Sequence, residues 1–184
     1  MTLSVSLVLD HLFLGILLLL LARTDTTTAP KTEWTAIPLQ ELLEDGVEFL
    51  EWEAEAKNIA LKSNLESGVF VKGDASQLRR LFSNLLENAL QYTPSGGTVL
   101  LSMSKGDTFA IATVEDTGIG IAPEHLSFIF DRLWREDRAR TYREEGSGLG
   151  LAIAQAIAQR HGGEITVSSE LGVGSCFKVL LPMV

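Results

Sequence analysis

Apolar positions along the chain follow two different periods. From Leu39 to about Lys57, Leu42, Leu43, Val47, Leu50 and Ala54 recur at helical spacing, and Pro38 stands where such a helix opens. A second helix is predicted over Gln77–Tyr92, with Leu81, Leu85 and Ala89 on one stripe and Asp74 or Ser76 as its cap. A third is predicted over Gly148–His161, stopped by Gly162-Gly163. Ile59–Leu65 alternates as a strand, and Val69–Lys72 is a second, ended by Gly73-Asp74. Thr98–Ser104 and Phe109–Glu115 form a hairpin across Lys105-Gly106-Asp107, and a short helix follows Pro123. Ile165–Ser169 and Cys176–Leu181 are the last two strands, joined by Gly172-Val173-Gly174. Strands in antiparallel pairs separated by helices predict an α+β fold. The expected architecture is a two-layer sandwich, one mixed, mostly antiparallel sheet with helices on one face.

The first 25 residues break this pattern. Leu12 to Ala22 is almost unbroken apolar, and residues 3–22 carry only Asp10 and His11 as ionisable groups. A transmembrane helix needs about 20 apolar residues, and this segment barely reaches that with an Asp in its middle. A signal peptide has a basic start, which is absent here. A helix packed in a bundle or dimer seam needs only about 10–14 apolar residues and is the preferred reading, with the membrane segment as its alternative. Thr24 to Glu33 is polar and Thr-rich and reads as a linker. The expected organisation is an apolar helix over 1–25, a linker over 26–37 and a main domain over 38–184.

Charge and composition narrow the function. Fifteen Lys and Arg against 24 Asp and Glu give a net charge of −9, which argues against a nucleic-acid binder. With 46% apolar and 21% charged residues the chain is not disordered. The single cysteine, Cys176, rules out an internal disulfide framework and a Cys-rich metal cluster.

Four segments carry candidate chemistry. In LFSNLLENALQYTP, Asn84, Asn88 and Gln91/Tyr92 line a polar stripe beside the apolar one. Two amides one turn apart read either as a solvated helix face or as a ridge on a ligand pocket. In the pocket reading, the Asn88 carbonyl oxygen suits Mg²⁺ and Tyr92 suits a flat base. In VEDTGIGIAP, Asp116 ends a strand, where its carboxylate can accept from an exocyclic amine, and Gly118 and Gly120 permit a sharp turn. In GSGLGLAIA, Gly146, Gly148 and Gly150 expose N–H groups at a helix start, which suits a phosphate. No strand precedes it and no Gly-Lys-Ser/Thr occurs, so neither a Rossmann nor a P-loop reading holds. DRLWREDRARTYREE, residues 131–145, holds five Arg and five acidic residues. It reads as a self-paired surface stretch or as an Arg-bearing lid.

In order and spacing these segments resemble the nucleotide-binding domain of sensor histidine kinases, the Bergerat-type ATPase fold shared with type II topoisomerases, heat-shock-90 chaperones and mismatch-repair ATPases. NLLENALQYTP resembles the N box, DTGIGI the G1 box, IFDRLWR the F box and GSGLGLAIA the G2 box, and the likeness extends over about Pro38 to Pro182. The resemblance implies ATP and Mg²⁺ as cofactors. It implies that Asn84 and Asn88 ligate Mg²⁺ or order its waters, with Glu87 as an acid/base or metal-side residue. It implies that Asp116 accepts from the adenine amine, with Gly118 and Gly120 shaping that wall and Tyr92 packing on the base. Gly146, Ser147, Gly148, Leu149 and Gly150 would border the triphosphate, and Phe130 and Arg135 would belong to the lid region. Two positions depart from the pattern. Gln91 stands where the family often has Lys or Arg, and Leu133 stands at the second F-box aromatic, with Trp134 beside it.

The implied activity is phosphoryl transfer from MgATP to a histidine, by an ATP:protein-histidine phosphotransferase of a two-component system. None of His11, His125 and His161 sits in a phosphoacceptor pattern, and LLLLARTD resembles the end of a second dimerisation helix. The chain is therefore expected not to label itself and to act on a histidine from another segment or chain. Implied partners are a dimerisation and phosphoacceptor domain, a response regulator and a second copy through the N-terminal helix, but not nucleic acid. The implied location is cytoplasmic, at the membrane face if residues 3–22 are inserted. Two other functions compete: a non-catalytic ATP-binding module that regulates full-length kinases, and a serine kinase of the anti-sigma-factor type.

Overall fold

A computed structural model of the protein describes residues 34–134 and 148–184. The described elements run β1 (Thr35–Pro38), α1 (Leu39–Ala56), β2 (Ala60–Leu65), β3 (Phe70–Gly73), α2 (Ala75–Tyr92), β4 (Thr98–Lys105) and β5 (Phe109–Asp116). A 3-10 turn (Pro123–His125), α3 (Gly150–Arg160), β6 (Glu164–Glu170) and β7 (Gly174–Pro182) follow. The expected apolar helix over residues 1–25 lies outside the described residues.

A five-stranded sheet runs β2-β4-β5-β7-β6, and a separate two-stranded ribbon joins β1 to β3. The mostly antiparallel α+β sandwich expected from the pattern is present, with two corrections. β2 does not pair with β3 but lies parallel to β4, Ala60 opposite Thr98, because α2 carries the chain across between them. β3 pairs instead with β1, Ile37 opposite Val71. Residues 35–37, expected in a linker, therefore belong to a strand whose Ile37 is buried.

The helices form because their apolar stripes need cover. α1 buries Leu39, Leu42, Leu43, Val47, Leu50 and Ala54, and α2 buries Leu78, Leu81, Phe82, Leu85, Leu86, Ala89 and Leu90. Asp74 caps α2, accepting from the Ser76 and Gln77 N–H groups at 2.9 and 3.2 Å. Opposite them the sheet presents Val99 and Leu101, Ala112 and Val114, Phe177 and Val179, all buried. The acidic charge sits elsewhere: α1 carries seven carboxylates and no Lys or Arg, and most of its carboxylates face solvent. Among the described residues no helix is long and apolar enough to cross a membrane.

Candidate functional site

Strand alternation places Asp116. Ala110, Ala112 and Val114 of β5 are buried under the helices, and Asp116 follows them in phase at the strand end, with 9% of its surface exposed. Its Oδ1 accepts the Gly118 N–H at 2.8 Å. Burial pushes the Asp116 carboxyl pKa up, and N–H groups of Gly118 and Ser175 with the Ser175 hydroxyl draw it part of the way back. The turn after it is clasped on three sides. Thr117 N–H donates to the Thr98 carbonyl at 3.0 Å, Ile119 N–H to the Tyr92 carbonyl at 3.1 Å, and Gly172 N–H to the Ile119 carbonyl at 2.7 Å. A Cβ on Gly118 would stand 2.5 Å from the Tyr92 carbonyl oxygen. Gly120 has φ +67°, and a Cβ there would stand 2.0 Å from the Glu170 carbonyl oxygen. Both positions exclude a side chain, as a close-approach turn requires.

The other end of the site lies up helix α2. Asn84 and Asn88 are half-buried, and the Asn84 Nδ2 is buried with no hydrogen-bond partner among the described residues. Asn84 sits beside the start of α3: a Cβ on Gly150 would lie 3.7 Å from its Oδ1. Among the described residues that helix start has no side-chain cap. Its N-cap is Leu149, buried, and Gly148 before it has φ +67°. A donor amide without an acceptor and uncapped N–H groups face the same place, a combination that suits an anion. Among the described residues, no three His, Cys, Asp or Glu side chains group as a metal cluster. Amide oxygens suit Mg²⁺, which keeps several waters and takes only one or two protein oxygens plus phosphates.

The F-box-like segment is pinned to the core. Phe130 meets Phe177 edge-on, ring centroids 6.5 Å apart. Leu133 has φ +66° and is 55% exposed, whereas Trp134 packs against the core and meets the His125 ring at 5.3 Å. Trp134, not Leu133, thus takes the inward aromatic place. Leu133 N–H donates to the Gly148 carbonyl at 3.0 Å, joining the F-box-like segment to the Gly-rich start of α3.

Asn84, Asn88, Gln91, Tyr92, Asp116, Gly118, Gly120, Leu149 and Gly150 are therefore gathered along or beside α2. Glu87 is exposed, and its pKa is raised by partial burial and then by Glu53 of α1, which puts its carboxyl on the α1 side of the helix. Arg135, Gly146 and Ser147 lie outside the described residues. Sequence reasoning missed Ser175 and Ser169. Their strands set Ser175 opposite both Asp116 and Ser169, a pairing between distant segments that no local pattern announces.

Comparison with known proteins agrees with this fold. The family described as histidine kinase-, DNA gyrase B-, and HSP90-like ATPase matches residues 73–184. The chain is similar to the sensor histidine kinase RppB of Synechocystis sp., 48% identical over 168 residues, covering 90% of this chain and 37% of that protein. It is similar to the sensor protein SrrB of Staphylococcus aureus, 42% identical over 109 residues, covering 59% of this chain and 19% of that protein. The chain thus spans well under half the length of these curated relatives. Among solved structures, the mycobacterial sensor histidine kinase MprB superposes with a TM-score of 0.70 at 28% identity, covering 82% of this chain and 97% of that one. Full-length ShkA in complex with AMPPNP superposes with a TM-score of 0.75 at 28% identity, covering 89% of this chain and 34% of that one.

Proposed function

The chain belongs to the histidine kinase-, DNA gyrase B- and HSP90-like ATPase family, and on that premise we propose that it transfers the γ-phosphoryl group of MgATP to a histidine supplied by another segment or chain. The observation that carries this reading is the polarity of the site along α2. A buried hydrogen-bond acceptor, Asp116, stands at the Tyr92 end, and at the Asn84 and Gly150 end stand the Asn84 amide, without a partner among the described residues, and a helix start with no side-chain cap among them. Eight residues of helix separate these ends, about 12 Å, a span that suits a base at one end and a phosphate chain at the other.

Each residue then has a task. Asp116 accepts from the adenine amine, and Gly118, Gly120 and Tyr92 bound the ring. Asn84 and the N–H groups at Gly148, Leu149 and Gly150 hold phosphate oxygens, with Phe130 in the lid region; Gly146, Ser147 and Arg135, outside the described residues, are assigned to the triphosphate and the lid by their place in the motifs alone. Asn88, with Asn84 next to it, would hold Mg²⁺, which when bound neutralises charge on the transferred group. Glu87 adjoins Asn88 and is assigned to proton handling on the metal side. Catalysis by such a site is mostly positioning and charge stabilisation.

The phosphoacceptor comes from elsewhere. His161 is buried with both ring nitrogens engaged, and the His125 ring is packed against Trp134. A dimerisation and phosphoacceptor domain and a response regulator are therefore the proposed partners. The test is to incubate the chain with γ-radiolabelled MgATP, alone and with the dimerisation fragment of RppB. Label on the fragment's histidine and none on the chain is expected. Nucleotide binding with no label on either points to the non-catalytic regulatory module. Label on serine supports the serine-kinase alternative, and acid-labile self-labelling overturns the need for a second segment.

A further inference from the structure

Three polar residues on neighbouring strands form a row at one end of the sheet: Asp116 on β5 lies opposite Ser175 on β7, and Ser175 lies opposite Ser169 on β6. The first of them faces the nucleotide base in the reading above, on which this inference rests. We infer that Ser169 is a positioning residue for base recognition, holding the Asp116–Ile121 turn in the shape that selects adenine. Its Oγ accepts the Ile121 N–H at 2.8 Å, donates to the Gly174 carbonyl at 2.8 Å and lies 3.0 Å from the Ser175 Oγ.

Counting protons orients the row. Two hydroxyls supply two protons. The Gly174 carbonyl takes that of Ser169, so in the 3.0 Å contact between the two hydroxyls Ser175 Oγ donates and Ser169 Oγ accepts. The Ser169 Oγ is thereby fully used, accepting from Ile121 N–H and from Ser175 and donating to Gly174. The backbone around this row has no slack. A Cβ on Gly174, at φ +140°, would stand 1.9 Å from the Asp116 carbonyl oxygen, and one on Gly120 would stand 2.0 Å from that of Glu170. The β6–β7 turn therefore lies directly on the Asp116–Gly120 backbone. Ser169 is the side chain that ties the far end of the turn, Ile121, to that hairpin. Its removal frees one N–H and one carbonyl and lets the wall beside the base shift, without touching the phosphate end at Asn84 and Gly150.

The experiment compares Mg²⁺ complexes of ADP and GDP, and inorganic pyrophosphate, by calorimetry on the full chain, on Ser169→Ala and on Ser169→Thr. Ser169→Ala is expected to lose about tenfold in ADP affinity and to shrink the ADP-over-GDP preference by a similar factor. Pyrophosphate affinity is expected to hold, and Ser169→Thr, which keeps the hydroxyl, is expected to restore the preference. Equal losses on all three ligands indicate a purely structural role and overturn the inference, as does an unchanged preference in Ser169→Ala. If the unsubstituted chain shows no adenine preference, the proposed function and this inference fall together. Should Ser169→Ala not fold, amide exchange on the unsubstituted chain decides: an Ile121 N–H exchanging at the free-peptide rate overturns the proposal, and protection that deepens with ADP but not with pyrophosphate supports it.

Discussion

His161 Nε2 accepts the backbone N–H of Asp74 at 3.1 Å, so the residue that ends α3 holds the residue that caps α2. The opposite ring nitrogen, Nδ1, bonds the Ile157 carbonyl at 2.8 Å. That pairing requires the neutral tautomer with its proton on Nδ1. Trp34 stacks on the ring at 4.8 Å with planes 6° apart, and a Cβ on Gly73 would stand 2.4 Å from it. The two helices that bring Asn84 and Gly150 together are thus clamped at their far ends by one imidazole.

That clamp makes stability fall with acid. Burial lowers the His161 pKa below its ordinary 6.5; the Ile157 carbonyl and the Asp74 charge oppose this, and Arg160 adds to it. The unfolded chain therefore binds the proton first. The His161 contribution is full above about pH 6.5 and is lost as pH falls through the lower folded value. Urea denaturation at pH 7.5 and 5.5 is expected to show lower stability at 5.5, and a smaller decline in His161→Phe. Asp74, whose pKa is lowered chiefly by the Ser76 hydroxyl, acts in a separate window below about pH 4. An equal decline in His161→Phe would assign the effect to another group. The same substitution is expected to cost about 1–3 kcal/mol at pH 7.5 by leaving the Asp74 N–H unpaired.

Asp116 is a case where function and stability oppose each other. Its raised pKa means that burial disfavours the charged carboxylate in the folded state, and its contribution declines as pH rises through the window above 3.8. Asp116→Asn keeps an oxygen for the Gly118 N–H and removes that charge. Its stability at pH 7 is expected to equal or exceed that of the parent. Its ATP affinity is expected to fall about 10–100-fold, the loss of one charged hydrogen bond worth about 1.5–3 kcal/mol. Calorimetric titration beside a thermal melt measures both, and unchanged affinity would falsify the placement of Asp116 against the base.

Much of this was legible locally. The apolar stripes of α1 and α2 set their bounds within about two residues, because burial of one face dominates helix formation. Asp74 was readable as a cap, and Asp116 as a strand-end carboxylate. What escaped depends on pairings between distant segments. β1 carries four residues with a Pro and reads as linker until β3 covers it, and β2 chooses β4 over the adjacent β3 only once α2 has crossed. Ser169 is 48 residues from Ile121, and register alone joins them. The net charge of −9 is no bar to a nucleotide, since α1 holds seven of the carboxylates in an element that supplies no nucleotide contact in the proposed site.

Leu133 and Trp134 should respond in opposite ways. Leu133 sits at φ +66° with 55% of its surface exposed, a conformation that costs a non-glycine residue about 1–2 kcal/mol. Leu133→Gly is therefore expected to be neutral or stabilising by up to about 1 kcal/mol, despite deleting an apolar side chain. Trp134→Ala removes a ring packed on the core and on His125 and is expected to cost about 2–4 kcal/mol. Denaturant midpoints of the two variants check the contrast. A larger loss in Leu133→Gly than in Trp134→Ala would return the aromatic's role to position 133.

Asn84 offers the sharpest separation of folding from binding. Its Nδ2 is buried without a partner among the described residues, a group whose desolvation costs about 1–3 kcal/mol when nothing receives it. Alanine at this position deletes the orphan donor and has a higher helix propensity than asparagine. Without nucleotide, Asn84→Ala is expected to melt at or above the parent's temperature. Saturating MgATP moves the difference back toward the parent, because ligand at about 100 times its Kd adds about 2.7 kcal/mol to the parent, while a variant bound about tenfold more weakly gains about 1.4 kcal/mol less. Melting both proteins with and without MgATP gives that shift directly. If Asn84→Ala is instead destabilised by 2 kcal/mol or more in the absence of nucleotide, roughly the cost of breaking a satisfied buried hydrogen bond, the amide serves the fold and its availability to a phosphate oxygen is lost as an argument.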